Sequence, residues 1–277
     1  MSWRDDCEAL AKVLKKRLYL SQAAVGIRLL NEAEEKQNPS FLEKVRRPGK
    51  GLPEMVLTCQ AMAMVRLYGW QVMVTKESLD CPTGLITLGW VEMSPAYRKG
   101  DLAVTPYNQS KDARARRMEE VPALPLGSVS SLVAGPVGRI GFEPHVVVVY
   151  CSPAQAMRLV QAALFFKGGA IRSTSTGAQG CSQYITKVLK KGEARYIVPG
   201  NGDRIFGHVE EAQMSFSFPG EMVGQMAEAI ELSHKGGQIY PVPSYVKAEL
   251  KVPGAYSEAT RHLRKYSREK AESQQGI

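Results

Sequence analysis

Long apolar runs are missing from this chain, histidines are few and the cysteines do not pair off. Each shortage removes a class of protein. The longest strand-like apolar run is Val146 to Tyr150, far short of the roughly 20 residues that cross a bilayer. The first stretch, MSWRDDCEALAKVLKKRLYL, is charged throughout and lacks the apolar centre of a secretory signal. A soluble cytoplasmic protein is therefore expected, with no membrane partner. The five cysteines are Cys7, Cys59, Cys81, Cys151 and Cys181. An odd number outside a secreted context points to free thiols, metal ligands or a nucleophile rather than a disulfide framework. There is no CxxC…HxxxH finger and no aromatic-basic RNP-type motif, so nucleic-acid binding is disfavoured. GxGxxG and the Gly-Lys-Ser/Thr ending of a P-loop are missing, which removes nucleotide-specific readings, and so is the GxSxG of a serine nucleophile.

What is present is an ordinary globular composition. The 277 residues are 44% hydrophobic and 23% charged, enough for a substantial core and unlike a disordered chain. The net charge of +9 favours anionic partners. Its local clusters at Lys15–Arg17, Arg46–Lys50, Arg114–Arg117 and Arg261–Lys270 read as solvated surface.

Along the chain, residues 4 to 18 predict an amphipathic helix with Leu10, Leu14 and Leu18 on one side. Ala23 to Leu30 reads as a strand, and the next helix runs from near Leu57 to Gly69. Cys81-Pro82 looks like a helix cap followed by proline at the first helical position. Residues 94 to 128 are irregular and suit a surface excursion or lid. Pro144 to Cys151 reads as a strand buried on both faces, and Ser152-Pro153-Ala154-Gln155 as a capping box opening a helix. Another helix follows Cys181, GNGDR at Gly200–Arg204 is a tight turn, Gln213 to Phe218 is a half-buried strand, and Pro219 to His234 is a helix. The tail from Ser257 is basic and helix-permissive.

Gln60-Ala61-Met62-x-x-Val65 matches Gln155-Ala156-Met157-x-x-Val160, and each copy leads to a cysteine at a helix start. The expected fold is α/β, with α+β as the alternative: two pseudo-repeated α/β halves around a shared cleft. The halves span 1–125 and 126–245, with a basic tail over 246–277, in one compact structural domain. Cys59 corresponds to Ala154, so the set is Cys59, Cys81 and Cys181. Cys7 reads as incidental and Cys151 as core.

Thiols at helix N-termini have stabilised thiolates. Three of them converging can hold an iron–sulfur cluster with one iron open, or zinc with a fourth ligand. Gly177 and Gly180, in the small-residue stretch before Cys181, are candidates for cradling an anion. Arg204 is the candidate for a substrate carboxylate or phosphate, and His208, just past GNGDR, is the histidine most suited to chemistry.

PAQAMRLVQAALFFKGG, GCSQYI, GNGDRIFG and ELSHKGGQIYPVP, in that order, resemble the DUF169 family, an uncharacterised group common in archaea and anaerobic bacteria. CQAMAMVR and TKESLDCPTG fit its first half. The resemblance covers roughly residues 7 to 245 and carries no established reaction. It implies that Cys59, Cys81 and Cys181 match the family's recurring cysteines, compatible with an iron–sulfur site. Members often carry another cysteine where GNGDR stands here, so this chain lacks a fourth. The expected function is an iron–sulfur enzyme of anaerobic metabolism with a 4Fe-4S cluster on Cys59, Cys81 and Cys181, zinc being the lesser alternative. It would act on a small anionic metabolite by Lewis-acid lyase, hydratase or desulfidase chemistry. The alternatives are a non-catalytic cofactor- or metabolite-binding protein and an accessory redox subunit. A homo-oligomer is left open.

Overall fold

The structure, a computed structural model, describes residues 2–37, 39–102, 107–244 and 252–275. The chain divides into a body over Met1–Val242 and a C-terminal unit over Pro243–Ile277.

The body begins with α1 (Trp3–Leu18), opened by a Ser2–Asp5 capping box and burying Leu10, Leu14 and Leu18. Strand β1 (Val25–Leu30) follows, then α2 (Glu32–Lys36) and a small parallel pair, β2 (Arg47–Pro48) with β3 (Gly51–Leu52). Helix α3 (Thr58–Tyr68) ends on Gly69 in the left-handed conformation, leading to β4 (Val72–Thr75) and α4 (Pro82–Thr87). The irregular segment holds two short helices, α5 (Pro95–Arg98) and α6 (Lys111–Glu119). Strands β5 (Ser131–Pro136) and β6 (Val146–Cys151) come next, then α7 (Pro153–Leu164). A π-helical turn over Ser182–Thr186 runs into α8 (Lys187–Lys191). The body closes with β7 (Arg195–Ile197), α9 (Asn201–Ile205), β8 (Met214–Pro219) and α10 (Val223–Lys235). In the C-terminal unit the described element is α11 (Gly254–Gln275), which carries Arg261, Arg264, Lys265 and Arg268.

Six strands form one sheet in the order β4-β5-β1-β6-β8-β7, and every pairing in it is antiparallel. The fold thus mixes helices with an antiparallel sheet, the α+β form of the expectation. The valine run of β6 signals burial on both faces, not strand direction. Val147, Val149 and Cys151 face the core built with α1, α7 and α10, while Val146, Val148 and Tyr150 face the core built with α3 and the π-helical turn. Fully burying each such side chain contributes about 1.5–3 kcal/mol. The same cover explains β8, expected to be half-buried. It lies between β6 and β7, and all but its first residue are buried.

The matching Gln-Ala-Met segments have a local cause. Gln60 and Gln155 each occupy the third position of their helix, where Oε1 accepts the cap residue's N–H, from Leu57 at 2.9 Å and Ser152 at 2.8 Å. The two helices lie on opposite sheet faces. Gln155 also donates to the Leu18 carbonyl at 2.7 Å, tying α7 to the end of α1.

Candidate active site: a three-thiol cavity

On the α3 face a cavity of about 520 Å3 opens among the start of α3, the start of α4, the α5–α6 excursion, the loop before the π-helical turn, and α9. That size is within the range of small-molecule sites. Cys59, Cys81 and Cys181 all line it, from three different segments.

Cys81 caps α4. Pro82 supplies the first helical residue, and the Gly84 N–H donates to Cys81 Sγ at 3.3 Å. Gly84 has to be small. A Cβ there would lie 2.7 Å from Thr58 Oγ1 and 2.7 Å from Leu79, so only glycine lets the starts of α3 and α4 close together. Cys181 shares the cavity wall with Cys81, and the two thiols influence each other's ionisation. The neighbouring Cys181 thiol is the main reason the Cys81 thiol falls to about 7. Burial opposes it, and the N–H groups of Gly84 and Thr58 with the Thr58 hydroxyl support it. That hydroxyl is buried and has no hydrogen-bond partner among the described residues.

The two helix-start thiols are therefore not equivalent. The same pairing, with burial and the Cys81 charge, pushes Cys181 well above its ordinary value. Cys81 is the thiolate and Cys181 its proton-bearing neighbour. Cys59, the second residue of α3, is pushed up to about 12 by burial and then by the charges of Asp203 and Cys81, which outweigh its backbone donors.

Asp203 completes the site and was missed in the sequence. GNGDR reads as a turn, yet it forms the short helix α9. Asp203 Oδ2 accepts the Gly200 N–H at 2.9 Å, the bond expected of an acid three residues after a cap. Oδ1 accepts the Tyr184 hydroxyl at 3.3 Å. Three glycines make room for this segment. Added Cβ atoms at Gly180, Gly200 and Gly207 would lie 2.0 Å from Asp203 Oδ2, 2.9 Å from Ala178 Cα and 2.5 Å from the Asp203 carbonyl. Arg66 braces it from α3. Its guanidinium bonds the Gly207 carbonyl and Gln22 and lies 4.4 Å over the Tyr150 ring. Loop backbone is strained here as well: Gln179, which lines the cavity, has φ +60. The π-helical turn directly after Cys181 is a feature often found at functional sites.

Burial raises the Asp203 carboxyl above its ordinary 3.8, more than its hydrogen bonds and Arg66 lower it. Between 3.8 and its folded value, the folded chain holds a proton that the unfolded chain has released. Stability must then fall as pH rises through that window and level off above it. Asp203→Asn should abolish this slope in urea titrations run at stepped pH. An unchanged slope would remove Asp203 as its source.

Several expected site residues lie elsewhere. Arg204 does not line the cavity; its Nη1 donates to the Glu210 carbonyl at 2.6 Å, across the turn after α9. His208 is exposed, in the left-handed conformation at φ +51, and does not line the cavity. Gly177 is an exposed turn glycine outside the cavity lining, and its N–H bonds Ser175 Oγ at 3.2 Å. Gly180 does line the cavity, but its smallness serves Asp203 rather than an anion. Conversely Arg114 and Arg117, read as solvated surface, are cavity residues on α6. Their spacing, i and i+3 on one helix face, was the available signal.

Three thiols are suitable soft donors for a cluster. Among the described residues, however, no three His, Cys, Asp or Glu side chains are grouped to hold a single metal ion. No described helix is long and apolar enough to cross a membrane.

Comparison with known proteins agrees with the resemblance carried by the order of the sequence motifs. The model of DUF169, described as uncharacterised ArCR, matches residues 13–229, which include every cavity residue named above. The uncharacterized protein MJ0308 of Methanocaldococcus jannaschii is 25% identical over 224 residues, covering 80% of this chain and 92% of that relative. No solved structure matches the chain. With the match running from the end of α1 into α10, the chain belongs to the DUF169 family.

Proposed function

We propose that this protein is an enzyme of thiol chemistry, with Cys81 as the attacking atom on a small anionic molecule held in the cavity. The observation that carries it is the setting of Cys81 on the wall of a small-molecule cavity that Cys181 also lines: the Gly84 N–H bonds its sulfur at 3.3 Å, and the neighbouring Cys181 thiol lowers its value. In the resting site the proton stays on Cys181. When Cys81 bonds to an electrophilic carbon of the substrate, the bond from that carbon to its leaving group breaks, and the Cys181 proton passes to the departing group. Buried Asp203, with its raised value, holds a proton more readily than a surface carboxylate and lies within electrostatic range of both Cys59 and Cys181.

A second reading has its own support. Cys59 takes no part in the thiol pair, yet it lines the same cavity. Three thiols from separate elements, with no fourth, suit a 4Fe-4S cluster that leaves one iron open. In that reading Cys59, Cys81 and Cys181 would hold the cluster, which would supply a Lewis-acid iron. Iron and acid-labile sulfide in anaerobically purified protein separate the two. The thiol reading expects a colourless protein without either, in which one equivalent of iodoacetamide labels Cys81. About four irons and four sulfides per chain, lost on replacing the three cysteines by serine, would overturn it in favour of the cluster.

A further inference from the structure

We propose that Arg114 and Arg117 form the anion-binding wall of the cavity and that its ligand is a small monocarboxylate with an apolar body. This rests on the cavity being the thiol site's substrate chamber.

Both arginines come from α6, three residues apart, and both line the cavity. Both are half-buried, both bury an Nε that has no partner, and neither joins an ion pair among the described residues. Each is held by structure rather than by a carboxylate. Arg114 Nη1 donates to the Gly100 carbonyl at 3.2 Å. Gly100, at φ +75, lets the chain approach so closely that a Cβ would meet Arg114 Cβ at 2.8 Å. The Arg117 guanidinium lies 4.8 Å over the Tyr107 ring. Burial lowers the Arg117 value, the mark of a desolvated cation that an anion would relieve. The terminal N–H groups of a guanidinium match the two oxygens of a carboxylate.

The rest of the chamber favours one charge and an apolar body. Leu57, Leu102, Met118, Ile205 and Phe206 contribute to its walls. Stripping water from a dianion in such surroundings costs more than from a monoanion. The carboxylates on the lining, Asp80 and Asp203, belong to the thiol side, where Asp203 is engaged by Gly200 and Tyr184.

The test is calorimetric binding to the full chain of benzoate, phenylacetate, 3-phenylpropionate and hexanoate, each against its amide, with inorganic phosphate and phenyl phosphate alongside. At least one carboxylate should bind about tenfold or more tighter than its amide. Arg114→Gln/Arg117→Gln should erase that preference, and Arg117→Lys should restore part of it. Cys81→Ser should leave it intact, so this assignment and the thiol reading can fail separately. Amides binding as well as acids, a preference that survives the double variant, tighter binding of the phosphates, or no binding by any carboxylate would each overturn the proposal. The acid–amide comparison needs only the unaltered protein, so it stands even if the double variant fails to fold.

Discussion

Replacing Cys81 by serine should slow iodoacetamide labelling of the native protein near neutral pH by at least two orders of magnitude. The size follows from ionisation. With a value of about 7, roughly half of Cys81 is thiolate at pH 7, whereas Cys59 and Cys151, pushed up to about 12, are ionised to about one part in 10^5. A thiolate of lower pKa is intrinsically the weaker nucleophile, which returns about two powers of ten across this gap and leaves an advantage of about 10^2–10^3. Access acts in the same direction, because Cys7, Cys151 and Cys181 are buried and Cys59 and Cys81 are not fully so. Cys181→Ala should slow Cys81 as well, since it removes the thiol that holds the charge. If Cys81→Ser labelled as fast as the unaltered protein, the attacking sulfur would have to be sought elsewhere.

Gly180→Ala should damage the site more than any other single-methyl change in it. The added Cβ would lie 2.0 Å from Asp203 Oδ2 and 2.8 Å from its Cγ. Asp203 cannot step aside cheaply, because it is buried and satisfies the Gly200 N–H and the Tyr184 hydroxyl. Moving it orphans both groups, so overpacking and lost hydrogen bonds add to about 3 kcal/mol or more. Gly177→Ala is the matched control. It is three residues away, at φ +67, with nothing within 4 Å of its added Cβ, and should cost only the left-handed penalty of about 1–2 kcal/mol. Urea unfolding of the pair measures the difference. Equal costs would mean that the slot around Asp203 is looser than described.

How far the chain could be read in advance depended on whether a signal was local. Capping patterns are local. Cys81-Pro82 and Ser152-Pro153-Ala154-Gln155 therefore placed α4 and α7 within a few residues of their observed starts. The valine run at β6 spoke for burial on two faces, but strand direction depends on partners such as β1, more than 100 residues away, and left no mark in the run itself. Within the site, the cysteines stood out as rare residues at helix starts. Asp203 did not, because Asn-Gly-Asp is also what a turn requires and its burial comes from glycines at positions 180 and 207. Arg204 looked better placed than its neighbour because charge is visible in a sequence and orientation is not. Arg114 and Arg117 were hidden by the opposite effect: in a charged, irregular segment, two inward guanidinium groups look like any others.

The central claim is that one thiol, Cys81, is ionised near neutral pH because Cys181 and the α4 start hold its charge. The ultraviolet absorbance of thiolate, followed across pH on anaerobic protein, tests it directly. The account predicts one thiolate appearing with a midpoint of about 7, absent from Cys81→Ser and moved upward in Cys181→Ala. A titration with no thiolate forming until well above the ordinary cysteine value, or one unchanged by Cys81→Ser, would contradict it.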